Sequence, residues 1–285
     1  MTAGFCMLPW QHQEVCPVRP RHIIASLCDS LDIVTQAAIR DVVRSGPGLT
    51  RAIAQSVVQT VLLVGSFFVM SGALGLSGPA IRGDLLIYLM TGVFLFNLHA
   101  RTIMAVLASE GSTSEIRMYR ASPLLMTIGS AIGALYVQII TALLLLFAYH
   151  VFWKAIDLRP LMNGLTLLGI LWIGSIGAGQ VLLAVKKLAP RLAMSLAQAW
   201  TRVAMLTSGS MFVANALPAK FIPLVSWNPL FHVIDQMRGA VFVNYSCQVS
   251  SPTTPAIAAL CAIIAGTALY HAADTLIPHS RAMGA

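Results

Sequence analysis

Asn97 and Arg101 stand four residues apart in an otherwise apolar stretch of this chain, and Gln198 and Arg202 repeat the pair further on. Residues four apart share a helix face. A cation beside an amide does no acid–base chemistry by itself; it attracts anions. An intramembrane arginine usually faces the bundle interior or a watery cavity. Arg202 lies 11 residues past Arg191, about 16 Å along a helix, where snorkelling back would be strained. Arg101 has a second reading, as a structural partner of Glu110, of a carbonyl or of a lipid phosphate. Trp172, Trp200, Tyr136 and Phe212 can set flat faces against sugar rings, and can equally pack lipid and core. Asn97, Arg101, Gln198, Arg202, Trp172, Trp200 and Tyr136 therefore form a candidate lining for the path of an anionic substrate.

Bond-making chemistry has less to work with. His232 and Asp235 have the spacing of a base and its orienter, but no nucleophile stands beside them, and Asp235 can pair with Arg238. G-x-x-x-x-G-K-[ST] is absent, so no P-loop holds ATP phosphates, and H-E-x-x-H and G-x-S-x-G are absent too. The glycine-rich run 174–179 sits in apolar context, where close helix packing explains it better than phosphate binding. Cys6, Cys16, Cys28, Cys247 and Cys261 form no C-x-x-C pair, which gives neither a disulfide framework nor a zinc site. The expectation is a chain without catalytic residues, metal or cofactor of its own.

The elements that must position these side chains are membrane helices. Six stretches are apolar and near the 20 or so residues that span hydrocarbon: 52–72, 84–109, 124–152, 162–184, 192–216 and 254–277. The chain of 285 residues is 57% hydrophobic and 10% charged, where a soluble domain carries about 25% charged residues. Its mean hydropathy is +0.79. The net charge of +8 reads as topology rather than as nucleic-acid binding. Eleven of the 18 basic residues fall in segments placed on the inner side: Arg19, Arg21, Arg40, Arg44, Arg51, Arg117, Arg120, Lys186, Lys187, Arg191 and Arg281. Arg82, Lys154, Arg159, Lys220 and Arg238 fall on the other. This asymmetry puts both termini in the cytoplasm. The first 20 residues lack the pattern of a cleaved signal peptide.

Three parts follow. Residues 1–21, with Pro9, Pro17 and Pro20, read as an irregular arm. Residues 22–48 read as an amphipathic helix and linker, with Ile24, Leu27, Leu31, Val34 and Ala38 at helical spacing, lying on the inner leaflet or against a soluble partner. Residues 49–285 hold the spans. Between spans two and three, Ser112 and Glu115 have capping-box spacing, which predicts a short inner helix over 113–121. It presents Glu115, Ile116, Arg117, Met118, Tyr119 and Arg120 as a rigid knob, or forms only a solvated turn. The outer loop, 217–253, carries two apolar pieces linked by proline. In the second, Asn228 is a good N-cap and Pro229 suits the first helical position. Leu230, Ile234, Met237 and Val241 make one stripe, widened by Phe231 and Val233, with His232, Asp235, Gln236 and Arg238 as the polar residues. That pattern predicts re-entrant or interfacial helices in the outer leaflet.

This order of parts resembles the membrane subunit of ABC exporters of the type-2 permease class, and within it the capsular polysaccharide export branch. Residues 25–280 fit. The stretch Trp227-Asn-Pro-Leu-Phe-His-Val-Ile-Asp-Gln-Met-Arg-Gly239 is similar to that family's W-N-P-hydrophobic-x-H…R-G stretch. Tyr119-Arg-Ala-Ser-Pro-Leu124 resembles the start of its third span, and Arg40-x-x-x-Arg44 with Gly46 and Gly48 its pre-span pattern. Where that family often has a Trp and an acidic-Pro pair, this chain reads Leu49-Thr-Arg-Ala-Ile-Ala54. The resemblance implies an all-α inner-membrane permease working as a homodimer above two separate ATP-binding subunits, which carry the ATP and Mg. It implies that 113–121 is the coupling helix and that Trp227, Asn228, Pro229, His232, Asp235 and Arg238 belong to an external gate. It implies a lipid-linked, acidic polysaccharide as cargo, passed on to periplasmic and outer-membrane partners. O-antigen, teichoic acid or a drug would use the same machinery. A membrane-embedded glycosyl- or acyltransferase would need acidic or histidine residues clustered at one membrane face, and the sequence offers no convincing cluster.

Overall fold

The computed structural model describes Thr35 and residues 49–73, 85–109, 123–154, 164–210, 212, 214–242 and 245–276. The rest of 22–48, the inner helix expected over 113–121, and the tail after 276 lie outside the described residues. Every element among the described residues is helical. In chain order they are α1 (Leu49–Ala73), α2 (Leu85–Ala108), α3 (Pro123–Phe152), α4 (Leu165–Leu188), α5 (Pro190–Thr207), α6 (Ile222–Ser226), α7 (Pro229–Val241) and α8 (Thr253–Leu276). Two 3-10 turns, Ala214–Ala216 and Ala219–Phe221, lie between α5 and α6.

Five helices, α1 to α4 and α8, are long and apolar enough to cross a membrane. α2 is the hub: 72% of its apolar window is buried, against 22% for α1 and α8. α1 explains the contrast. It buries one stripe, Ala52, Ser56, Thr60, Val64, Phe67 and Ser71, and turns Leu62, Phe68 and Val69 outward. That outward face suits hydrocarbon. The buried hydroxyls are satisfied locally, as when Thr60 Oγ1 donates to the Ser56 carbonyl at 2.8 Å.

α4 and α8 meet backbone to backbone. A Cβ on Gly177 would lie 2.5 Å from the Ala262 carbonyl carbon, and one on Gly266 would lie 2.7 Å from the Gly177 oxygen. Small residues permit such an approach where no water drives helices together. The run 174–179 thus does pack helices closely.

The fifth expected span differs. The apolar stretch 192–216 is not one helix: α5 ends at Thr207 after 18 residues, and α5 is not among the five long apolar helices. Gly209, with φ at +73°, turns the chain into a conformation that side-chain-bearing residues rarely adopt. Arg238 on α7 then takes the carbonyls of Gly209, Ser210 and Phe212, so the chain need not continue as helix to satisfy them. At its other end α5 follows α4 after one residue, Ala189, with Pro190 in the first turn.

α7 begins as its sequence predicts. Asn228 Oδ1 accepts from the Leu230 N–H at 3.0 Å, with Pro229 in the first turn. Its surroundings differ from the expectation. The apolar stripe is buried, but so are His232, Asp235 and Arg238. α7 packs among α2, α4 and α8 instead of presenting a wet face.

Candidate functional site

The two predicted arginine pairs part company. Asn97 is buried on α2 and donates from Nδ2 to Thr60 Oγ1 at 3.1 Å. Arg101, one turn on, reaches across to α1, where Nη2 donates to Gln59 Oε1 at 2.9 Å. Both line a cavity of 540 Å³ between α1, α2 and α3, closed on one side by Thr201 of α5 and lined also by Gln55 and Gln59. Among the described residues no carboxylate lines it. Gln55 and Gln59 were missed in the sequence, although two amides four apart in an apolar span were signal enough.

Gln198 and Arg202 lie elsewhere. α5 touches the bundle through a small-residue stripe, Ala193, Ala197 and Ala204. On another face Arg191, Ser195, Gln198 and Arg202, at helical spacing, are all exposed. Arg202 is therefore on the outer surface of the single chain, not in its interior.

Of the aromatic residues, Tyr136 is 50% exposed, while Trp172 donates from Nε1 to the Ala131 carbonyl at 3.1 Å and serves packing. Trp200 has a definite partner. Its indole N–H can only donate, and it meets His99 Nε2 at 3.0 Å. The His99 proton is therefore on Nδ1, 2.7 Å from Ser175 Oγ, which donates in turn to the Leu171 carbonyl at 2.6 Å. This chain of bonds ties α5 to α2 and α4. Trp200 also stands edge-on to Trp227, with centroids 6.1 Å apart.

The residues expected at an external gate form a clasp. Arg238 donates to the Gly209 carbonyl at 2.7 Å and to those of Phe212 and Ser210 at 3.2 Å, and stacks on Tyr88, 3.6 Å from the ring centroid. Burial lowers its proton affinity, and the surrounding Tyr88, Tyr245 and Asp235 oppose that. The expected Asp235–Arg238 pair does not form. Asp235 instead accepts from the Tyr245 hydroxyl and, at 2.6 Å, from Ser250 Oγ. Burial and that bond push the Tyr245 hydroxyl far above the usual phenol range.

His232 is also occupied at both nitrogens. The Ser251 N–H donates to Nδ1 at 3.1 Å, so Nε2 carries the proton and donates to the Ser226 carbonyl at 2.8 Å. The base-and-orienter geometry imagined for His232 and Asp235 is not present. Asn228 Nδ2 adds a tie to Thr207 Oγ1 at 2.7 Å, while Trp227 is half exposed. Tyr88, Tyr245 and Ser250 were invisible as partners, because each lies far from α7 or beyond its end. Among the described residues no group of His, Cys, Asp and Glu could hold a metal.

Cys247 sits in this clasp, with Sγ 3.2 Å from the Asp235 carbonyl. Burial, and then the Asp235 charge, push its thiol up to about 11. Only the thiolate reacts with maleimide, so labelling at neutral pH should be slow. The rate should climb about tenfold per pH unit until the thiol ionises. Stopped labelling between pH 7 and pH 10 tests this: an ordinary thiol levels off above about pH 8.5, so a rate that stops climbing there would show that the thiol is not held as described.

The described chain is thus an all-helical protein with five helices suited to a membrane and two cationic surfaces. No protein-family model matches it, and no curated protein shows significant similarity to it.

Proposed function

We propose that this chain is the permease subunit of an ATP-driven exporter in a bacterial inner membrane, with both termini in the cytoplasm. The observation that carries the reading is the polar stripe Arg191, Ser195, Gln198 and Arg202 on the exposed face of α5. At 18 residues α5 is about 27 Å long, close to the thickness of the hydrocarbon layer. A charge left in hydrocarbon costs about 3 kcal/mol or more. That stripe therefore needs water or protein beside it. A second copy facing it across a two-fold axis would enclose a corridor with cationic walls, and α5 becomes the sixth crossing element. Arg51, Gln55 and Gln59, exposed on α1, suit the flank of the same corridor.

Such a corridor suits a chain of acidic sugars. Several weak contacts draw the polymer in, where one tight site would stall it. The cargo, a lipid-linked acidic capsular polysaccharide, follows from the resemblance of Trp227–Gly239 and its neighbours to capsule exporters. So do two ATP-binding partner subunits, which carry ATP and Mg and engage Glu115, Ile116, Arg117, Met118, Tyr119 and Arg120. The chain itself then hydrolyses nothing.

Arg202→Leu should lower export about tenfold, the equivalent of roughly 1.4 kcal/mol. Arg202→Lys should keep part of it, and assembly with the ATP-binding subunit should be unchanged in both. Glycan flux into inverted vesicles is the measurement. Wild-type flux in Arg202→Leu would remove the corridor from the mechanism.

A further inference from the structure

Another cavity, of 160 Å³, lies where α2, α4, α5, α7 and α8 converge. Two of its walls are built from small residues, Gly174 and Ala178 of α4 and Ala258 and Ala262 of α8. These helices meet backbone to backbone at Gly177, and the small residues beside that contact leave open the space that larger side chains would fill. Leu171, Leu230 and Val233, all buried, line its deep side.

Water has nothing to hold it there. Of the lining residues only His99 and Trp200 carry polar side-chain atoms. Both are spent: Trp200 Nε1 donates to His99 Nε2 at 3.0 Å, and His99 Nδ1 meets Ser175 Oγ at 2.7 Å. A buried water needs about two to four polar partners, whereas an apolar cavity of about 150 Å³ stays dry and admits a molecule the size of benzene. Left empty, the wall forfeits its dispersion contacts. An ion or a sugar hydroxyl would be desolvated in it without compensation. The cavity is not sealed, because Gly174, Ala178, Trp200, Ala258 and Ala262 each keep part of their surface exposed. Leu196 and Val203, one turn to either side of Trp200 on α5, are exposed, and so is Leu269, two turns past Ala262 on the same face of α8. The mouth is therefore continuous with the apolar surface that α5 and α8 turn outward, and α8 is one of the five helices suited to a membrane.

We propose that this cavity holds the end of an acyl chain from a lipid of the surrounding bilayer. The chain enters between α5 and α8, and its last methylenes fill the space between Trp200 and the alanines of α8. A free apolar molecule would suit the same wall, but hydrocarbon of the bilayer is what the mouth faces. Arg202, two residues past Trp200, lies on the opposite face of α5, about 200° around the helix. The site therefore does not depend on the corridor or on what passes through it, and every wall of it belongs to one copy.

The test uses the full chain in phosphatidylcholine vesicles doped with a phosphatidylcholine that carries a photoactivated diazirine near the end of one acyl chain. After illumination, adducts are mapped by peptide mass spectrometry. They should appear on the buried Leu171, Leu230 or Val233 as well as on the exposed Leu196 and Val203. The same lipid with its diazirine beside the headgroup should label none of the three buried residues. Ala258→Leu should fill the space, so that the buried adducts are lost and the exposed ones stay. Ala178→Leu is the second filling variant if the first does not fold, and the map of the unaltered chain decides without either. Labelling confined to the exposed residues overturns the proposal, as does buried labelling that persists in a folded filling variant. A free, benzene-sized aryl diazirine is the last arm. If it reaches Leu230 where the chain-end lipid does not, the cavity takes small free molecules and the acyl-chain assignment fails. Export is not measured here, so failure of this site and failure of the transport reading are separate results.

Discussion

Gly177→Ala should destabilise the protein by about 3 kcal/mol, the upper end of ordinary overpacking, and Gly177→Val by more. The added Cβ would lie 2.5 Å from the Ala262 carbonyl carbon and 2.5 Å from the Ile263 nitrogen. Both are helix backbone, which cannot rotate aside as a side chain can. Relief requires α4 and α8 to separate by about 1 Å along the whole contact, with loss of dispersion at every neighbouring pair. That contact is the most extensive between any two described helices. Gly169 is the internal control, because nothing lies within 4 Å of a Cβ there. Gly169→Ala should be neutral or stabilise by up to about 1 kcal/mol through helix propensity. Thermal unfolding in detergent reads both. If Gly177→Ala melts with the wild type, the backbone contact between α4 and α8 is wrong.

Arg238→Leu should be at least as damaging, by on the order of 3–5 kcal/mol, because three buried carbonyls lose a donor together. Arg238 is 1% exposed, and its guanidinium holds the Gly209, Ser210 and Phe212 carbonyls together. Leucine fills space but leaves these acceptors desolvated and short of donors; a buried unsatisfied group costs about 1–3 kcal/mol. Phe212 alone retains another partner, the Tyr88 hydroxyl at 3.2 Å. The damage should be local first. Limited proteolysis should cut within 208–218 in Arg238→Leu at a temperature where the wild type is intact. Arg238→Lys, with a point charge and no fork, should fall between them. Wild-type resistance of Arg238→Leu would mean that the turn after α5 stands without the arginine.

The same two sites show what a sequence makes legible. The long apolar helices could be read because hydropathy over some 20 residues is a local sum, and the Gly174–Gly179 run could be read because small residues in lipid have few other uses. The end of α5 could not. Averaged hydropathy runs through Ser208 and Gly209 into Phe212 and Ala214, and the donor that satisfies the carbonyls past the helix end is an arginine 29 residues later. α7 misled for a related reason. Its apolar stripe, broken by His232, Asp235 and Arg238, is the pattern of a half-wet helix, unless the polar partners sit on other segments. They do: Ser226, Ser251, Tyr245, Ser250 and the 209–212 carbonyls. Asn97 and Arg101 stood out as polar residues in an apolar span. That one would meet Thr60 and the other Gln59 depends on how α1 leans on α2, which no window of sequence contains.

The distance along the chain between Gly209 and Arg238 is also an interval of time. A ribosome adds about 5–20 residues each second, so the arginine is made seconds after the carbonyls it will bind. Throughout that wait α5 has emerged while its exit turn lacks its donors. Bare carbonyls are tolerable in water and costly in lipid, so a turn still waiting for α7 would be expected at an aqueous surface. Only then can 208–242 close as a unit, which makes the end of α5 one of the late events in building the protein. A chain released between Gly209 and Arg238 should carry α1 to α4 and still lack a finished end to α5.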